Sequence, residues 1–271
     1  QKLYAEGVID PEFGVKDAVK VSENVNAGKV GMFYGYFWNC SSGWLQDGKM
    51  NDPSIDWIAV PILSIDDEPA KAMVPFATTY YTVVSKDCAN PEAAVKMYNL
   101  VLEKMFGETA QPEVYNSTPE NLAVFNYAYS YGEPPMKNLD AQQAVVAALE
   151  SGDASELSAE QKNYYDNCVA YEESGDLALW GNYMMYGPDG GLGVINEYVS
   201  SGNVVTDNYF GAPTDGMAEK NATLQKLQLE TFTKIITGSA DVDEFDTYVE
   251  NWKSLGGQQI TDEVNEWLAQ R

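Results

Sequence analysis

Apolar side chains recur every three or four positions from Ala94 and Val95 through Tyr98, Val101 and Leu102 to Met105, which places them on one helical face. Asn90-Pro91-Glu92 supplies a cap, a proline suited to the first turn and an acid that favours a helix N-terminus. Other stretches follow a different rule. "TTYYTVVSK", residues 78–86, strings together β-branched and aromatic side chains without a breaker and predicts a strand. Trp57-Ile58-Ala59-Val60-Pro61-Ile62-Leu63 predicts another, with proline at its exit because proline cannot donate inside a sheet. A third is predicted over 29–37, after a helix over 16–27 that stops near Gly28. A short helix over Lys2–Glu6 opens the chain, and Asp10-Pro11-Glu12, with a cap, a first-position proline and a first-turn acid, starts a second that is short or only a turn.

From residue 107 the pattern turns helical. Helices are predicted over 119–129, 140–150, 158–173, 176–185, 190–201, 217–237, 242–254 and 261–270. Ser158 with Gln161 reads as a capping box. Val242, Phe245, Val249 and Trp252 form an apolar stripe, and Thr261 is expected to cap a last helix bearing Val264, Trp267 and Leu268. No fixed-period repeat or low-complexity segment is present. The alternation of helix and strand, followed by helices alone, predicts an α/β fold with a helix-rich C-terminal half.

Composition narrows the function. The 271 residues suffice for one large domain or two modest ones, and 45% apolar residues argue for a packed core despite a net charge of −25. With 16 basic residues spread along the chain, nucleic acid is not an expected partner. The charge reads first as a solvated acidic surface, with attraction for cationic ligands as the alternative. No apolar run of membrane-spanning length occurs. There is no histidine, which excludes Ser-His-Asp and Cys-His catalysis and His-ligated metals within this chain. Cys40, Cys88 and Cys168 lack CxxC spacing; neither metal nor disulfide is expected of them, and no cofactor.

Three constellations could carry chemistry. Gly187-Pro188-Asp189-Gly190-Gly191-Leu192-Gly193 lacks GxGxxG spacing and follows no strand, so a helix start after a turn accounts for it. Asp241, Asp243, Glu244 and Asp246 lack the glycine and closing glutamate of a calcium loop and read as an acidic helix N-terminus. The aromatic residues remain. They gather at Tyr34–Trp38 with Asn39 and Trp44, at Tyr80-Tyr81 beside Thr79, and at Trp180, Tyr183 and Tyr186 beside Asn182. Ring faces stack on the apolar C–H faces of sugars while amides and hydroxyls bond sugar oxygens; core packing is the competing use of such rings.

"LYAEGVIDPEF", "AGKVGMFYGYFW", "NDPSIDWIAVPI" and "YYTVVSKDCANPEAAVKMYNLVLE", in that order, resemble the extracellular solute-binding proteins of ABC sugar importers, the Gram-positive lipoprotein branch in particular. "FTKIITGSADVDEFDTYVENWKSLGGQQITDEVNEWL" is similar to the end of that branch. The resemblance implies a type II periplasmic-binding-protein-like fold of two α/β lobes that close on a ligand, with the N-terminal part of the family fold and its lipoprotein signal ahead of residue 1. Residues 1–60 would belong to the second lobe, 61–130 to the first after a hinge crossing near Pro61, and 131–271 to the helical return to the second. The implied function is non-enzymatic: a monomeric, extracellular, lipid-anchored component that binds a carbohydrate and delivers it to ABC permease subunits. Tyr36, Phe37, Trp38, Asn39, Trp44, Thr79, Tyr80, Trp180, Asn182 and Tyr183 are the expected ligand-binding residues. A binder of peptide or another non-sugar solute on the same architecture, and a carboxylate glycosidase, are the alternatives.

Overall fold

The structure is a computed structural model that describes the whole chain except residues 42, 79, 117–122 and 129–130. Thr79 and parts of the predicted helix 119–129 therefore lie outside the described residues. The chain divides into two compact units, one made of residues 1–21 with 207–271 and the other of 22–206. A short helix α1 (Lys2–Ala5) belongs to the first, and the division falls within α2 (Ala18–Asn26).

The larger unit runs α3 (Leu45–Asn51), β1 (Ala72–Val74), α4 (Glu92–Phe106), α5 (Pro112–Tyr115), α6 (Lys137–Ser151), α7 (Ala159–Ser174), α8 (Leu177–Tyr186), α9 (Gly191–Ser200) and β2 (Val204–Thr206). Helices α6 to α9 form its core. Ala141, Val145, Cys168, Tyr186 and Leu192 are buried together, with Phe37, Leu149 and Tyr165 packed against them. Tyr164 and Tyr186 stack at 3.8 Å between centroids. The predicted capping box starts α7: Ser158 Oγ accepts from Gln161 N, and Gln161 Oε1 accepts from Ser158 N. Gly152 and Gly175, at φ 72° and 66°, end α6 and α7 in the left-handed conformation that other residues resist. Glu160 ties the bundle together. Its Oε1 accepts from Lys137 Nζ, Asn116 Nδ2 and Tyr164 Oη, each at 2.8 Å, so a largely buried carboxylate is paired with a cation and hydrogen-bonded to two further donors.

In the other unit, α10 (Asp215–Ile236), α11 (Glu244–Trp252) and α12 (Gln258–Ala269) pack together. Thr214 Oγ1 caps α10 by accepting from Met217 N. The predicted stripe contributes Phe245, which meets Phe232 and Tyr248. Trp267 contacts Tyr209 and Phe210, and the Arg271 guanidinium lies 4.0 Å from its ring.

Two corrections follow. The strands predicted over 29–37, 57–63 and 78–86 are not strands among the described residues; the sheet is instead the parallel pair β1–β2, with Ala72 opposite Val204. Strand propensity describes side chains suited to a pleated, half-buried surface, whereas a strand exists only where a neighbouring backbone completes the ladder. Those runs have no such neighbour here and stay exposed, Val83 at 86% and Ile58 at 75%. The second concerns Thr261. It does not cap the last helix but lies inside α12, its Oγ1 donating to Gly257 O one turn back, because α12 begins at Gln258 after a kink at Gly256. The fold is thus mainly helical with one small parallel sheet.

Candidate functional site

The candidate site grows from the run Phe33–Cys40. Gly35 lets the chain fold tightly here: a Cβ on it would lie 2.8 Å from the Phe33 ring and 2.9 Å from Asn39 Oδ1. A single 3₁₀ turn, Phe37–Cys40, follows. It closes on itself twice, with Asn39 N donating to Tyr36 O at 2.9 Å and Tyr36 N donating to Asn39 Oδ1 at 2.6 Å. Ser41 N and Oγ both donate to Trp38 O.

This turn sorts its side chains by direction. Phe37 enters the helical core, while Asn39 and Cys40 are 6% and 7% exposed. Tyr36 and Trp38 point outward, 68% and 48% exposed, and stack on each other at 4.4 Å with 9° between planes. Phe37 meets Trp38 edge-on at 5.0 Å and so supports the platform from beneath.

Two glycines seat the turn on the bundle. A Cβ on Gly181 of α8 would lie 2.7 Å from Cys40 O, and one on Gly191 of α9 would lie 3.2 Å from the Phe37 backbone. The glycine-rich stretch is therefore a helix start, as its pattern suggests, and also a landing surface for the aromatic turn. Burial pushes the Cys40 thiol up to about 11 and the Cys168 thiol up to about 12, so neither is a nucleophile at neutral pH. All three cysteines are free.

The other expected residues separate from the platform in different ways. Trp44 precedes α3 and lies parallel to Phe33, 5.9 Å between centroids, with Trp57 edge-on to the same Phe33 ring. Trp180 is not a presented ring: at 2% exposure it is part of the interior, since α8 packs against α7, α3 and the aromatic turn. Asn39 spends its oxygen on the turn, and Asn182 Oδ1 accepts the Cys168 thiol at 3.6 Å, so neither oxygen is offered to a ligand. Tyr183 is half-buried against Tyr171, and burial followed by the Glu172 charge raises its phenol. Tyr80 is 75% exposed and lines a separate cavity of about 710 Å³ with Tyr81, Tyr98 and Tyr131. Sequence reasoning missed Phe33 and Trp57, and missed Gly181 and Gly191 as the seats of the turn; a glycine inside an otherwise regular helix was the available signal.

Among known proteins, the chain is 26% identical over 272 residues to "Uncharacterized protein in butB 5'region" of Niallia circulans, covering 98% of this chain and 95% of that protein. It is 24% identical over 275 residues to "Lipoprotein LipO" of Bacillus subtilis (strain 168), covering 98% of this chain and 49% of LipO. No family model matches. No solved structure matches. No helix among the described residues is long and apolar enough to cross a membrane.

Proposed function

We propose that the protein is the extracellular, lipid-anchored substrate-binding component of an ABC importer, and that it binds a carbohydrate, an oligosaccharide in particular. The observation that carries this reading is the Tyr36–Trp38 pair: two large rings held parallel, outward and half to two-thirds exposed by a turn whose Asn39 and Cys40 are buried and whose Phe37 packs on the core. An exposed stacked pair on a rigid mount is costly to leave in water and suited to the C–H face of a sugar ring. The likeness to a Gram-positive protein named as a lipoprotein agrees with the reading.

In this proposal the architecture is the two-lobed, periplasmic-binding-protein-like one, with a hinge crossing near Pro61 and residues 61–130 in a different lobe from 1–60 and 131–271. Ligand would shift the balance toward a closed form that docks on permease subunits. Incubating the protein with a panel of neutral oligosaccharides tests the class. The proposal predicts saturable binding by calorimetry with no new reducing ends; release of reducing sugar would favour a glycosidase, and binding of peptides alone would favour a peptide carrier.

A further inference from the structure

The larger unit holds a second aromatic assembly, apart from the Tyr36–Trp38 turn and independent of the carbohydrate reading. The start of α4, the extended run 80–84, the 3₁₀ turn Val124–Tyr127 and Tyr131 border a cavity of about 710 Å³. Five rings line it, those of Tyr80, Tyr81, Tyr98, Phe125 and Tyr131, and no lysine or arginine does so among the described residues. Phe125 and Tyr131 are tilted neighbours, 5.7 Å between centroids. A Cβ on Gly132 would collide with the Tyr98 hydroxyl, so the glycine lets Tyr98 of α4 reach the chain beside Tyr131.

The electrostatics of this cavity are one-sided. Tyr131 Oη donates to Glu133 Oε2 at 2.6 Å, and a phenol bonded to a carboxylate carries more electron density on its ring face. Burial, then that hydrogen bond and the charges of Glu133 and Glu160, with Tyr80 adding, raise the Tyr131 phenol and keep it neutral. Lys137 pairs with both acids, 3.7 Å from Glu133 and 2.8 Å from Glu160. Two carboxylates thus stand against one ammonium beside Tyr131, and the balance is negative. Tyr80 and Tyr81 are 75% and 77% exposed, so two of the rings are open to an arriving ligand.

We propose that this cavity binds a small, free organic cation through a quaternary ammonium group. Ring faces attract cations through their quadrupole, and several rings around one methylated ammonium recognise it without any ion pair. A quaternary ammonium has no N–H, so aromatic walls leave none of its groups unmatched. A primary ammonium brings three donors and needs acceptors that ring faces supply poorly. A neutral molecule of the same shape gains burial alone. The net charge of −25 raises the local concentration of any cation, and the rings then select among cations.

Choline and 3,3-dimethylbutan-1-ol share a shape and differ by the charge, and they form the test pair in calorimetric titrations of the wild type at fixed ionic strength. Choline should bind saturably at one site, with the neutral alcohol about tenfold weaker or more. Tyr80 and Tyr81 are exposed, so their double variants should fold normally. Tyr80→Leu/Tyr81→Leu keeps apolar bulk but removes two ring faces, and should weaken choline about tenfold or more. Tyr80→Phe/Tyr81→Phe keeps the faces and should bind as the wild type does, and so should Trp38→Ala, which alters only the other assembly. Equal affinity for choline and the alcohol, unchanged affinity in the leucine variant, loss of choline binding in Trp38→Ala, or binding to phosphatidylcholine vesicles without saturable binding of choline would overturn the proposal.

Discussion

Trp38 and Trp180 carry the same side chain into opposite environments, one 48% exposed on a turn and the other 2% exposed inside the bundle. The sequence marks both as members of aromatic clusters and does not separate them, because which way a ring faces depends on what its backbone is seated against. Phe37 faces inward, and with it Tyr36 and Trp38 outward, since Gly181 and Gly191 leave no Cβ in the way. Trp180→Ala should therefore cost about 3–5 kcal/mol in urea denaturation, as large-to-small core changes do. The thiols divide in the same way. Cys88 is exposed while Cys40 and Cys168 are buried, so a thiol reagent on native protein at pH 8 should modify Cys88 quickly and the other two only as fast as the protein opens. The raised thiols also set a pH dependence. Their folded values of about 11 and about 12 exceed the ordinary 9.0, so this contribution is fully present below pH 9.0 and falls as pH rises through 11. Cys40→Ala should flatten the loss of stability expected between pH 9 and 11, as read from denaturant midpoints across that range.

At the scale of elements, helices are legible because a helix satisfies its own backbone. The stripe at 91–105 and the box at Ser158–Gln161 mark a real face and a real start, each within one segment. Strands are not, because a ladder is a relation between segments; β1 and β2 are three residues each and were not foreseen, while longer and more β-like runs stay unpaired. Thr261 misled for a related reason: it has the right chemistry for a cap, but the kink at Gly256 moves the helix start upstream. Ser158→Ala should lower stability by about 1 kcal/mol, read from a shifted denaturant midpoint with an unchanged slope. Gly191→Ala is a sharper element-level test, since the new methyl would press on the Phe37 backbone at 3.2 Å. It should disturb saccharide binding more than it disturbs the helical content measured by circular dichroism.

For the whole molecule, the aromatic turn and its mount are both within the larger unit, so the platform does not depend on the smaller one for its shape. Stacking on a neutral sugar involves no ion pair, so binding at the platform should be nearly unchanged between 50 and 500 mM salt. The central claim is that Tyr36 and Trp38 form a sugar-binding platform, and one measurement addresses it directly. The wild type and Trp38→Ala are titrated with the neutral oligosaccharide that binds the wild type most tightly, and both are melted. Loss of a stacking anchor worth about 2 kcal/mol should weaken binding more than tenfold, while removal of a half-exposed ring should change stability by under about 1 kcal/mol. Unchanged affinity in a well-folded Trp38→Ala protein would contradict the account.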